Sequence, residues 1–270
     1  MTDWDPQLYN RFRRYRAEPV EAILERLEFG ADARIVDLGC GSGENTVELA
    51  RRTPRGSALG LDSSPAMIDR AERLRTSLAP NLAARVRFEL GDMTRFAARD
   101  AYTLVFSNAA LQWVSDRSAV LEACFRALLP GGTLVVQMPA NHHETYHAEL
   151  RQLLAQDPWR SMMRADAAPP RMDVESPEHY RRLLAEIGFV GVDCYHHTFN
   201  HPMRGAAEIV EWCRSTTLRP VLEALPADRR ESFIQCWRER LERAYGVAPL
   251  IFPFRRLFLW GQRPAKSDGI

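Results

Sequence analysis

Arg34-Ile-Val-Asp-Leu-Gly-Cys-Gly-Ser-Gly43 decides how the rest of the chain is read. Ile35, Val36 and Leu38 form a short apolar run interrupted by Asp37, and Gly39, Gly41 and Gly43 then alternate with small residues. The next segment, Glu44–Arg52, carries Val47, Leu49 and Ala50 at spacings that put them on one face of a helix. A buried strand, a glycine turn and a helix make a nucleotide-binding unit. Glycines admit a ligand close to the backbone, and the helix start offers free N–H groups.

Outward from that unit, strands and helices alternate, which predicts a parallel sheet. Strands are expected at Arg34–Leu38, Ser57–Asp62, Val86–Leu90, Leu104–Ser107 and Thr133–Met138, and helices at Glu44–Arg52, Pro65–Leu78 and Arg117–Leu128. Ser64 reads as the N-cap of the Pro65 helix, and Leu129–Gly132 as a turn back into a strand. Before the core, Asp5 and Pro6 start one helix and Pro19 opens a second, which ends near Gly30. Beyond Pro139 the texture is more polar. A helix is expected after Ser176, a sixth strand at Phe189–His197, helices at Ala206–Thr216 and Ala227–Tyr245, and a last strand at Arg256–Trp260. The expected architecture is α/β, with a mostly parallel seven-stranded sheet. Residues 1–30 form a helical lid, 31–140 the nucleotide-binding core, 141–265 the rest of the sheet with an inserted helical cap, and 266–270 a tail, all within one structural domain.

The 270 residues have a formal charge of +1, which creates no general attraction to nucleic acid or membranes. Five scattered cysteines (Cys40, Cys124, Cys194, Cys213, Cys236) show neither a CxxC pair nor metal-ligand spacing, so no metal is expected. The first residues lack the basic and apolar regions of a signal peptide, and no apolar run reaches membrane-spanning length. A reduced, cytoplasmic enzyme is the expectation.

The ligand is narrowed by glycine spacing and charge. A dinucleotide fold uses G-x-G-x-x-G, whereas Gly39–Gly43 is spaced G-x-G-x-G. Asp37, two residues ahead of the first glycine, would repel a pyrophosphate but attract an ammonium. S-adenosylmethionine, with an amino-acid end and no phosphate, suits both features better than NAD. Asp62, followed by Ser63 at the end of the second strand, suits ribose hydroxyls. Asp92 is placed to accept from an adenine amino group, with Met93 packing on the ring. Asn108, Gln112 and Trp113 follow the fourth strand, where the methyl end would lie.

Together, Val36-Asp-Leu-Gly-Cys-Gly-Ser-Gly43, Gly60-Leu-Asp-Ser-Ser64, Gly91-Asp-Met93 and Ser107–Trp113 resemble the class I S-adenosylmethionine-dependent methyltransferases. That resemblance implies a Rossmann-like, doubly wound fold, S-adenosylmethionine as cofactor and S-adenosylhomocysteine as product. It assigns Asp37, Gly39, Cys40, Gly41, Gly43, Asp62, Ser63, Asp92, Met93, Asn108, Gln112 and Trp113 to the cofactor. A narrower resemblance, to the trans-aconitate 2-methyltransferase family, rests on Asp3, Trp4, Pro6, Leu8, Tyr9, Phe12, Arg16 and Pro19, on Asp62–Ile68, and on Val136-Gln-Met-Pro139. Leu218-Arg-Pro220 and Phe252–Phe258 extend it into the second half. It implies carboxyl methylation of a small tricarboxylate. Arg16 and Arg219 are the first candidates to hold the substrate, with Tyr9, Tyr146, His147, His201 and Arg255 as further ones.

A carboxylate is already ionised at neutral pH, so in-line displacement needs alignment and dehydration and no catalytic base. The residues themselves leave open another small or carrier-bound acceptor, and also a cofactor-binding protein without turnover.

Overall fold

The computed structural model describes residues 12–163, 173–214 and 217–265. Seven strands form one sheet in the order β3-β2-β1-β4-β5-β7-β6. They are β1 (Arg34–Leu38), β2 (Ser57–Asp62), β3 (Val86–Leu90), β4 (Tyr102–Asn108), β5 (Leu128–Pro139), β6 (Val190–Met203) and β7 (Leu250–Gln262). The first five pair in parallel, and β7 runs antiparallel against β5. The chain winds from β1 out to β3 and then returns to place β4 on the other side of β1. This reversal puts the topological switch point between β1 and β4, beside the glycine turn.

The helices are α1 (Arg13–Arg26), α2 (Glu44–Arg52), α3 (Pro65–Thr76), α4 (Pro80–Ala83), α5 (Arg117–Ala127), α6 (Thr145–Leu154), α7 (Trp159–Met162), α8 (Pro177–Ile187), α9 (Ala206–Arg214), α10 (Arg219–Ala224) and α11 (Arg230–Tyr245). None is long and apolar enough to cross a membrane.

The chain divides into two compact units. A core unit comprises Val20–Pro139, Val174–His197 and Arg256–Ile270. A helical unit comprises Met1–Pro19, Ala140–Asp173 and Thr198–Arg255. In the core unit, Ile35, Val36, Leu104, Val105, Phe106, Leu134 and Val135 are buried, as near-continuous apolar runs require in parallel strands. The helical unit has its own apolar centre, which includes Phe12, Tyr146, Trp212, Phe233, Trp237 and Phe252.

Several local expectations are corrected. Pro19 does not open a second helix but sits inside α1, which continues past it to Arg26. Proline removes one N–H donor, and α1 accommodates that loss without ending. The turn expected at Leu129–Gly132 is absorbed into β5. Tyr102 pairs with Leu128 and Leu104 with Thr133, so four residues bulge opposite one, with Gly131 at φ +80°. The Pro65 helix stops at Thr76, and a further short helix, α4, precedes β3. The sixth and seventh strands are longer than predicted, because both continue through polar or proline-containing segments. The helix expected from Ala227 begins as a 3-10 turn and becomes α11 at Arg230. The helix predicted to start at Asp5 and the tail lie outside the described residues.

Gly43 shows how tightly the turn is built. Its φ is +89°, and a Cβ there would lie 2.5 Å from the Phe88 ring. Gly43→Ala combines left-handed backbone strain with that overlap, so it should lower unfolding stability by roughly 2 kcal/mol or more in denaturant titration.

Candidate functional site

The core unit gathers the cofactor candidates at the carboxyl ends of β1, β2, β3 and β4. Asp37 is 1% exposed, and its Oδ2 accepts the Thr46 hydroxyl hydrogen at 2.6 Å from α2. Burial raises its pKa to about 7. The Thr46 bond opposes that rise and the nearby Asp62 charge adds to it. Among the described residues no cation pairs with this carboxylate, and an ammonium group would supply one.

Asp62 organises the turn directly. Its Oδ2 accepts from the Gly41 N–H and its Oδ1 from the Ser64 N–H, both at 2.9 Å. Ser64 is the N-cap of α3, as expected, although its side chain makes no capping bond. A carboxylate has about four lone-pair sites, so Asp62 keeps capacity for ribose hydroxyls. Gly41 has φ +56°, and a Cβ built on it would meet nothing within 4 Å. The middle of the turn therefore faces open space. Gly39 is packed on the Ala110 methyl and on Met93 Cε, which brings the Met93 side chain to the turn.

Cys40 is buried, and its pKa is pushed up by burial and by Asp37 and Asp62, so it is a neutral thiol lining the turn. Ser63 is exposed. Asp92 is exposed and caps a 3-10 turn by accepting from Thr94 N–H at 2.8 Å; that bond holds its pKa below the usual carboxylate value. Asn108 ends β4 half-buried, with Oδ1 enclosed and making no hydrogen bond among the described residues. Gln112 is buried and donates Nε2–H to the Ala109 carbonyl at 2.6 Å. Arg117 braces the same turn by donating to the Leu111 and Gln112 carbonyls. Trp113 is 54% exposed, so it lies on the surface of this turn and not in its interior.

The substrate candidates within the described residues all fall in the helical unit, and Tyr9 lies outside those residues. Arg16 lies over the Trp212 ring at 5.2 Å. His201 is buried, stacked on Tyr15 at 4.4 Å, with Nδ1 3.5 Å from Glu18 Oε2. Tyr146 is a core residue packed edge-on against Phe252. His147 is buried, and burial with the Arg151 charge lowers its pKa to about 4, leaving the imidazole neutral. Arg255 pairs with Glu144 at 3.2 Å, and Arg219 is exposed and pairs with Glu223 at 2.9 Å.

Two residues of the core unit were not anticipated as site residues. Thr46 was hidden as an ordinary helical position. Gln137, fully buried in β5, was visible as the single amide in the apolar run Leu134–Met138. A buried polar group in such a run is the informative signal.

The methyltransferase domain family matches residues 30–188. A Variovorax paradoxus protein named trans-aconitate 2-methyltransferase is 38% identical across 98% of this chain and 100% of its own length. A Streptomyces avermitilis protein of the same name is 35% identical across 97% of each chain. Among solved structures, the YcgJ protein of Bacillus subtilis superposes with a TM-score of 0.62 at 15% identity, covering 92% of this chain and 98% of that one. Phosphoethanolamine N-methyltransferase 2 of Haemonchus contortus, solved with phosphomonomethylethanolamine and S-adenosylhomocysteine, gives 0.59 at 19% identity, covering 92% of this chain and 52% of that one. With the open glycine turn, an Asp37 that has no cationic partner among the described residues, a family match spanning β1 to β5 with their helices and full-length relatives of that name, the chain belongs to the S-adenosylmethionine-dependent methyltransferases, within the trans-aconitate 2-methyltransferase family.

Proposed function

We propose that this enzyme methylates one carboxylate of trans-aconitate, or of a closely related small tricarboxylate, and acts in the cytoplasm. The observation that carries the reading is that similarity to the proteins of that name runs through the helical unit as well as the core. A shared cofactor fold alone would leave the acceptor open.

When bound, S-adenosylmethionine supplies an electrophilic methyl group on sulfonium sulfur. Asp37 accepts from its ammonium, Asp62 from its ribose, and Asp92 from its adenine amino group, with Met93 against the ring. Gly39, Cys40, Gly41, Gly43 and Ser63 shape the turn, and Asn108, Gln112 and Trp113 complete the methyl end. Residues 1–30 serve as a lid, and helices within 141–265 bind the acceptor. Arg16, Arg219 and Arg255, with Tyr9, Tyr146, His147 and His201, hold the carboxylates that do not react. Arginine suits this because its fork matches a carboxylate with two parallel hydrogen bonds.

The acceptor carboxylate, with an ordinary pKa of about 4, needs no base. The residues therefore align it and exclude water, effects that recover roughly 7–11 kcal/mol when geometry is optimal.

A panel of small acids, assayed for S-adenosylhomocysteine release, tests the reading. Turnover strongest with trans-aconitate is expected, and turnover restricted to amines, phenols or carrier-bound acids would refute it. Arg16→Ala should raise KM for trans-aconitate about tenfold, equivalent to about 1.4 kcal/mol, with cofactor Kd within twofold. Equal weakening of cofactor binding would assign Arg16 to packing on Trp212.

A further inference from the structure

The turn after β4 is held in a shape that its own backbone disfavours. Ala109 has φ +53°, a left-handed conformation that an alanine keeps only when its surroundings enforce it. Its N–H donates to the Gln137 carbonyl at 2.8 Å, and its carbonyl accepts from Gln112 Nε2 at 2.6 Å. Ala110 is then pressed against the glycine turn, since its methyl leaves no room for a Cβ on Gly39. Leu111–Trp113 closes as a 3-10 turn.

Arg117, from outside the turn, fixes it further. Its Nε donates to the Leu111 carbonyl at 3.3 Å and its Nη2 to the Gln112 carbonyl at 3.1 Å. Nη1 donates to Glu175 Oε2 at 3.0 Å, and the same oxygen accepts the Tyr180 hydroxyl hydrogen at 2.7 Å. Tyr180 is fully buried on α8. Arg117 itself opens α5, whose start is capped by Asp116 accepting from Ala119 N–H at 3.0 Å. Pairs such as Arg75–Glu72 and Arg219–Glu223 join neighbouring turns of one helix. Arg117, with a side chain only 12% exposed, instead ties α5 to the turn and to the segment that leads into α8. A rigid planar fork suits three fixed acceptors in a way that a flexible ammonium does not.

We infer that Arg117 is a positioning residue for methyl transfer, setting the Ala109–Trp113 turn and acting through it on the alignment of the methyl group. The inference rests on the reading above that Asn108, Gln112 and Trp113 complete the methyl end. In-line displacement is sensitive to alignment, and a misplacement of about 1 Å that originates away from the chemistry can slow it about 100-fold. Asp37 and Asp62, proposed to hold the rest of the cofactor, belong to other strands, so affinity and alignment are separable.

Arg117→Met keeps the aliphatic stem and removes every donor. With trans-aconitate, kcat should fall about 30- to 100-fold, while KM for the acid and Kd for S-adenosylmethionine stay within threefold. Deuterium exchange at the Trp113 and Val114 amides, which close the 3-10 turn on the Ala110 and Leu111 carbonyls, should quicken about tenfold. Glu175→Gln should lower kcat about threefold alone and add nothing to Arg117→Met, because its effect passes through Arg117. Arg117→Lys, which keeps the charge and loses the fork, serves the same test if the methionine variant does not fold, with kcat down about tenfold. A merely structural arginine would give a lower melting temperature with kcat per folded molecule intact, and that result would overturn the role. So would a loss confined to cofactor affinity, or full additivity of the two substitutions. Trp113→Ala separates this role from the reading beneath it. A normal kcat in Trp113→Ala would remove the turn from the methyl end and this role with it, whereas a loss there beside a normal Arg117→Met would strike the role of Arg117 alone.

Discussion

Asp37→Asn is expected to stabilise the ligand-free enzyme at pH 8 while sharply weakening S-adenosylmethionine binding. In the folded chain Asp37 titrates at about 7, against about 3.9 in an unfolded chain. The folded state therefore holds its proton more tightly, and ionising Asp37 works against folding. That penalty is absent below about pH 4, grows as the pH climbs to 7, and levels off above it, at on the order of 4 kcal/mol. Asparagine keeps an oxygen for the Thr46 hydroxyl and cannot ionise. The variant should match the wild type near pH 4 and exceed it by a few kcal/mol at pH 8, read by denaturant titration at both values. The same substitution removes the negative charge proposed to meet the cofactor's ammonium. A charge-assisted hydrogen bond contributes about 1.5–3 kcal/mol, so Kd should rise roughly 10- to 150-fold. A variant with no pH-dependent gain and normal cofactor binding would mean that Asp37 serves neither role.

Asp62→Ala should produce the largest loss of cofactor affinity, without any stabilisation to offset it. The carboxylate already anchors the Gly41 and Ser64 N–H groups, so it shapes the turn, and its remaining lone pairs are the ones proposed to meet a ribose. Losing two ribose hydrogen bonds to a charged acceptor would cost roughly 3–6 kcal/mol, a Kd increase of 100-fold or more by titration. Losing the two backbone contacts should lower stability by about 1–3 kcal/mol. Asp62→Asn, which keeps one acceptor oxygen, should fall between the variant and the wild type. A normal titration of Asp62→Ala would sink the assignment.

Much of the core was legible because its residues obey a simple period. Ile35, Val36, Leu104, Val105, Leu134 and Val135 read as buried parallel strands, and they are. Local punctuation was less reliable. Pro19 looks like a helix start, yet tertiary packing carries α1 through it. Ser64 reads as the N-cap of α3 and holds that position, but its hydroxyl makes no capping bond, which the sequence does not reveal. The gathering of Asp37, Gly41 and Asp62 follows from their places at adjacent strand ends, which motif spacing reveals. Which arginines are already engaged follows from spacing only in part. Arg219 pairs with Glu223 along its own helix, whereas Arg16 lies over Trp212 far away in sequence. Gln137 was readable as an anomaly, but its lack of partners depends on packing that only the fold supplies.

In the proposed reaction the methyl group goes onto a carboxylate oxygen of a small polycarboxylic acid. The most direct measurement follows an isotope-labelled methyl from S-adenosylmethionine into trans-aconitate, with the product identified by mass spectrometry and NMR. The predicted result is a single monomethyl ester carrying the label, formed in equal amount to S-adenosylhomocysteine. Label on nitrogen, on a phenolic oxygen or on carbon, or S-adenosylhomocysteine without methylated trans-aconitate, would contradict it.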